Sequence, residues 1–323
     1  MKVRNYCYKA IIQTPDKKKL YTFGYEDPNA VLDIKFNVTR NVGANNNRLT
    51  LDIYNLTPEK QYNLFKPLIR QSSEASLTQQ NIITLFGGRE LDDRKFYYNV
   101  IFKGQILKTT PTKREGADTS ITIVAEDGML GLGLSYVALN FDANTQPLEV
   151  YRALINQVKN KSIYLEEGRT DATSFETLES NLLSGIETKY GILIDGNLQD
   201  ALNKLTGNRI LFNNGKIEYL GSDAVWKGGV YGVKKLDGDN HLVNSLTLDD
   251  GAVIANAELD FMPQISILGE YININSTLEK GFNGTWKVVG ITHQGNISQT
   301  EGSMVTTIVR LYINDRKGLF RQI

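Results

Sequence analysis

The chain has 323 residues, 41% hydrophobic and 22% charged, an ordinary globular composition that excludes wholesale disorder and collagen-like repeats and accommodates about two or three folded units. Lys plus Arg and Asp plus Glu number 36 each, so the formal net charge is +0 and no basic excess is directed at nucleic acid or an anionic membrane. Weak self-repulsion leaves association between subunits less opposed, and partner choice falls to shape and local patches.

Met1 to Thr14 alternates charged, polar and apolar residues and lacks the apolar core of a secretory signal. The longest apolar stretches, such as 251–257, are far too short to span a bilayer, so no membrane anchoring is expected. Cys7 is the single cysteine and cannot form an internal disulfide, which fits production in a reducing cytoplasm.

Alternation places Leu32, Ile34, Phe36 and Val38 on one face of a first strand and Leu49, Leu51 and Ile53 on one face of a second. Between them Asn41, Val42, Gly43, Ala44, Asn45, Asn46 and Asn47 read as a long hairpin loop, because Gly and Asn tolerate positive φ. Thr57, Pro58 and Glu59 predict a helix start, and Pro67 keeps that helix short. Strands are expected at Asn81 to Phe86, Lys95 to Leu107 and Ser120 to Glu126. Leu148, Tyr151, Leu154, Ile155 and Val158 mark an amphipathic helix opened by Pro147. A second helix has Asn197 as N-cap, Leu198, Ala201, Leu202 and Leu205 as its stripe, and Gly207 at its C-terminal end. Asn213-Asn214-Gly215 then predicts a hairpin between Ile210 to Phe212 and Lys216 to Leu220. From about Val230 the text returns to strands, at Leu246 to Leu248, Ile265 to Ile267, Tyr271 to Ile274, Thr285 to His293 and Met304 to Ile313. The expected organisation is a β-rich domain over 1–140, an α+β middle domain over 141–229 and a second β-rich domain over 230–323.

Catalytic templates fail along the chain. His241, His293 and Cys7 are the only soft ligands and show no zinc spacing, so His293 reads as a strand residue satisfied by a neighbour. Asp237-Gly238-Asp239-Asn240 lacks the register of a calcium loop, and Gly131-Leu132-Gly133 lacks the third glycine of a nucleotide loop. The pairs Asp92-Asp93 and Asp249-Asp250 read as solvated turns. No catalytic residue, metal site or cofactor is expected.

Three segments resemble the central hub proteins of contractile phage-tail baseplates, a family that includes the late control proteins and the hub-like half of type VI secretion spikes. The first is Phe36 to Leu56, above all Asn47 to Leu56, a strand closing in Tyr54-Asn55-Leu56. The second runs from Val100 through Phe102-Lys103-Gly104 and Thr119 to Glu126-Asp127-Gly128. The third joins Met262-Pro263 to Ile274 with Gly284 to Gly295, although Leu268-Gly269 lacks the second proline usual in the family. The resemblance implies a mainly β chain with an α+β middle domain and two antiparallel barrels like tail-tube protein. It further implies a homotrimer with six barrels in a ring, the hexameric tail tube protein on one face and the trimeric spike protein on the other. Tape-measure protein and then DNA would cross its channel, DNA in passage alone, with baseplate wedge proteins as further neighbours. The place implied is the virion tail, assembled in the bacterial cytoplasm. The loop Asn41 to Asn47 is then a docking arm toward a neighbouring subunit or ring, or else a plain surface loop. Two other functions stand beside this one. A cell-wall hydrolase would draw acids from Glu166, Glu167, Asp171, Glu176 or Glu179. A glycan-binding tail protein would stack sugars on Trp226, Tyr231 or Trp286.

Overall fold

The structure, a computed structural model, describes residues 6–13, 19–25, 32–43, 47–57, 59, 81–90, 96–113, 119–128, 132, 135–161, 164–176, 187–188, 191–227, 234–237, 246–248, 254–277, 280–298, 302–313 and 320–323. Most of the helix expected after Thr57 lies outside these residues, as do His241 and both expected Asp-Asp turns.

In chain order, β1 (Tyr6–Gln13), β2 (Lys19–Gly24), β3 (Ile34–Asn41), β4 (Arg48–Tyr54), β5 (Ile82–Glu90), β6 (Phe96–Lys113) and β7 (Thr119–Glu126) form the first flank. The middle holds β8 (Tyr136–Phe141), α1 (Pro147–Lys161), β9 (Glu166–Thr170), α2 (Ala172–Glu176), β10 (Glu187–Thr188), β11 (Gly191–Asn197), α3 (Leu198–Thr206), β12 (Ile210–Phe212), β13 (Lys216–Tyr219) and β14 (Ala224–Val225). The second flank is β15 (Lys234–Asp237), β16 (Thr247–Leu248), β17 (Ile254–Asp260), β18 (Tyr271–Asn275), β19 (Gly284–Ile297), β20 (Met304–Tyr312) and β21 (Arg321–Gln322). The fold is mainly β with an α+β middle, as the composition and periodicity require.

Both flanks use one connectivity. In the first, the hairpin β3-β4 is followed by the meander β5-β6-β7, and β4 pairs with β7. In the second, the hairpin β16-β17 is followed by the meander β18-β19-β20, and β17 pairs with β20. Each flank has a long strand that pairs with one neighbour along its first part and another along its second. In β6 the change of partner comes at Gln105, and in β19 at Lys287. A one-residue bulge follows each change, at Leu107 in β6 and Val289 in β19, which adds local bend. The duplication leaves no trace as repeated sequence because a sheet is specified by alternation and not by residue identity.

The copies are joined head to tail. Strand β19 pairs antiparallel with β3 from Gly290 opposite Asn41 to Ile297 opposite Ile34. One open path of strands therefore runs β16-β17-β20-β19-β3-β4-β7-β6-β5-β1-β2 and ends at β16 and β2. Alternation buries Ile34, Phe36, Val38, Leu49, Leu51 and Ile53 against β1, β5 and β6, while Ala255, Ala257, Val309 and Leu311 line the corresponding core of the second flank. A third core, from Leu132 to Tyr219 with Ile82 added, belongs to the middle and packs α1 and α3 over two small sheets.

The middle helices follow their sequence signals closely. The Asn197 side chain accepts from the N–H groups of Gln199 and Asp200, and Gly207 closes α3 in the left-handed conformation at φ 60°. The segment Ile265 to Ile267 is the exception, forming no strand. Its buried backbone turns at the bond from Ile265 N–H to Met262 O (3.0 Å), and the Ser266 carbonyl accepts from a distant guanidinium. Side chains thus satisfy polar groups that a ladder would otherwise serve.

Candidate functional site

The described residues converge on a buried polar junction where both flanks meet the middle. Its floor is the pair of glycine motifs. A side chain at Gly104 would lie 2.5 Å from the Glu126 carbonyl oxygen, and at Gly128 (φ +88°) it would lie 2.2 Å from the Phe212 ring. Glycine at both places lets the β7 end and the 213–215 turn close on Asp127.

The Asp127 carboxylate accepts the N–H groups of Asn214 (2.9 Å) and Gly215 (3.1 Å) and the Tyr164 hydroxyl, with Arg40 paired at 3.9 Å. Arg40, fully buried, donates to the Phe212 carbonyl (2.8 Å), to Asn213 Oδ1 (3.1 Å) and to the Ser266 carbonyl. Asn213 reaches onward, accepting from Leu268 N–H (2.9 Å) and donating to Glu218 (2.7 Å). Glu218 holds Arg169 through two bonds of 2.9 and 3.1 Å, and the Arg169 guanidinium lies 4.3 Å from the Trp226 ring centre. Asn47 ties the first flank in again, donating to the Phe212 carbonyl at 3.1 Å.

Burial pushes the Asp127 carboxyl above the usual carboxylate range, opposed by the Arg40 charge and the bonds from Tyr164, Gly215 and Asn214. Burial likewise raises the Tyr164 phenol, reinforced by Asp127, and lowers Arg40, offset by Asp127. Each charge is held by converging donors and acceptors, so the junction acts as a lock that orients three cores.

The Asn41 to Asn47 loop begins and ends at this lock. Asn41 N–H donates to Asn47 Oδ1 (2.9 Å), Val42 N–H to the Val289 carbonyl (2.9 Å) and Gly43 N–H to the Ile210 carbonyl (3.1 Å). Residues 44–46 lie outside the described residues. The sequence reading missed Arg40 itself, although its position carries a signal. Arg40 continues the inward parity of Ile34, Phe36 and Val38, so a charge was bound to be buried there.

The residues of the other two functions are scattered. Glu166 and Glu167 are exposed on β9, where Glu167 pairs with Lys159 at 2.7 Å. Asp171 is buried and accepts from Ser174 N–H (3.3 Å) and Gly221 N–H (3.2 Å), a structural arrangement at the start of α2. Nothing is described of the Glu176 side chain, of Glu179 or of Tyr231. Trp226 and Trp286 are each 3% exposed and so offer no open stacking face. His293 is buried on β19 with Nδ1 3.0 Å from Thr307 Oγ1, the strand position and neighbour contact expected. Among the described residues no group of three His, Cys, Asp or Glu is placed to hold a metal, and no helix is long and apolar enough to cross a membrane.

Opposite the cores, the outward positions of the eight strands from β16 to β6 form a mostly polar wall, interrupted by Val124, Ile254, Met304 and Ile308. Cross-strand neighbours on this wall are matched: Lys35 lies opposite Asp52, Arg48 opposite Glu126, Thr39 opposite Thr292 and Asn37 opposite Gln294. Where the copies meet, a groove of about 420 Å³ crosses the seam between Lys35, Asp52, Gln294, Met304 and Glu258.

No protein-family model and no curated protein matches the chain. Among solved structures, the tail protein from Neisseria meningitidis MC58 aligns with 95% of this chain and 97% of its own, at TM-score 0.52 and 9% identity. The 43 kDa tail protein of prophage MuSo2 from Shewanella oneidensis aligns with 98% of this chain and 99% of its own, at TM-score 0.54 and 10% identity. The chain has a phage tail-protein fold. Coverage of nearly the whole length on both sides means that the tail-protein fold comprises both flanks and the middle together.

Proposed function

We propose that the chain is the structural hub of a contractile phage-tail baseplate, without catalytic activity, acting as a trimeric ring with pseudo-sixfold symmetry between hexameric tube and trimeric spike. The observation that carries this reading is the head-to-tail joining of two flanks that share a hairpin-then-meander connectivity within a tail-protein fold. A chain that already repeats one unit twice converts threefold assembly into six near-equivalent units. The polar wall then lines the channel. Its opposite charges face one another across strands, so a long charged polymer meets little net attraction in passing.

In the same reading Asn41 to Asn47 is a docking arm toward the neighbouring subunit or ring, aimed by the bonds of Val42 and Gly43 to the chain's own core. Tube and tape-measure proteins are partners along the axis, and wedge proteins around it. Light scattering of the purified chain, alone and with the trimeric spike from the same tail, tests the proposal. The expected result is three times the 36.2 kDa chain mass, or a three-chain complex formed on adding spike. A monomer unaffected by spike would overturn it.

A further inference from the structure

We infer that a cavity of about 150 Å³, built where both flanks meet the middle, binds a carboxylate carried on a large apolar group, and that its ligand is the C-terminal residue of a partner chain. All of its described lining comes from one chain, so the site is present in a monomer and in a ring alike.

The bulge in β19 builds one apolar side. Val289, the surplus residue, is displaced from the ladder into the lining, while its carbonyl holds the Val42 N–H of the first flank at 2.9 Å. Leu211 and Leu220 of the middle, both almost fully buried, add to the apolar lining. Ser222, also of the lining, is exposed, so the cavity meets solvent there.

Two cations share this apolar surface. Lys287 is 5% exposed and lies opposite Tyr312 on β20, and both line the cavity. Its ammonium donates to the Gly221 carbonyl at 2.7 Å and the Ser222 carbonyl at 3.4 Å, neutral groups that orient the charge without cancelling it. Arg209 is half-buried beside Tyr219 and, among the described residues, belongs to no ion pair. No carboxylate is among the described lining residues. Positive charge in poor contact with water favours an anion, and the surrounding aliphatic groups favour an apolar body. An apolar cavity of this size holds about one benzene-sized group. The ligand is therefore one large apolar side chain with a carboxylate close by, which is the chemistry of a terminal residue. Val42 opens the Asn41 to Asn47 loop, so a protein brought up by that docking arm would present its chain end at the cavity. Choosing a partner chain over a free small acid rests on the docking-arm reading.

Titration calorimetry of the purified chain tests the site with three probes: acetyl-Gly-Gly-Phe ending in a free carboxylate, the same peptide ending in an amide, and phenylacetate. The acid peptide is expected to bind at least about tenfold more tightly than the amide, and more tightly than phenylacetate. Arg209→Gln should remove the preference for acid over amide and Arg209→Lys should keep it. Ser222→Trp, at the exposed part of the lining, should abolish binding of both peptides while the thermal midpoint stays that of the parent chain. Equal binding of acid and amide, no binding of either, or binding untouched by Ser222→Trp would overturn the site. Phenylacetate binding as tightly as the acid peptide would overturn the partner chain as its ligand. Light scattering of the same samples judges the hub reading separately, since a particle of trimer mass that ignores the peptides counts against the site alone.

Discussion

Arg40 shows how a charge is kept inside a sheet. Its guanidinium is out of water yet faces Asp127 and three protein oxygens, so removing one partner leaves the other charge buried and uncompensated. Arg40→Met should cost about 3–5 kcal/mol in denaturant unfolding. Adding Asp127→Asn should recover part of that loss, giving a coupling of about 0.5–3 kcal/mol in a double-mutant cycle. Additive losses would show that the two groups are not one unit. The parity of Arg40 was readable in the sequence, whereas its partners Phe212, Asn213 and Ser266 were not, since they lie more than 170 residues away along the chain. Alternation reports that a side chain points inward and carries no information about what it meets there.

Local chemistry decides the elements, and these were the most legible part of the fold. The β3-β4 hairpin, α1, α3 with both caps, and the 213–215 turn all follow from residues within a few positions of one another. Because Asn197 serves two N–H groups of α3, Asn197→Ala should lower stability by about 0.5–2 kcal/mol, measured by thermal unfolding. An unchanged midpoint would mean that packing of Leu198, Leu202 and Leu205 alone holds the helix. The failure at Ile265 to Ile267 has the same root. Three apolar-polar alternating residues look like a strand, and no local feature reports that the neighbouring space is filled by side chains from another flank.

At the scale of the whole molecule, long-range pairing outweighs local signal. The seam between β3 and β19 joins residues some 250 positions apart, and nothing in either strand names the other. The duplication became visible in the order of hydrogen-bonded strands and in the matching surplus residues, Leu107 and Val289, while the residues themselves diverged. Those two positions also imply something about size. Each surplus residue adds bend and twist to its strand beyond the twist every sheet has, so part of the curvature of the wall is written into the sequence as single extra amino acids. Deleting Leu107 would leave Ile106 inward and Lys108 outward with their partners intact, yet would flatten the sweep. Electron microscopy of that deletion should show rings of altered diameter or open arcs from a stably folded chain. If copies of the chain close into the ring proposed above, the number that completes a circle is set in part by single residues of backbone, and gain or loss of one would alter the width of the opening.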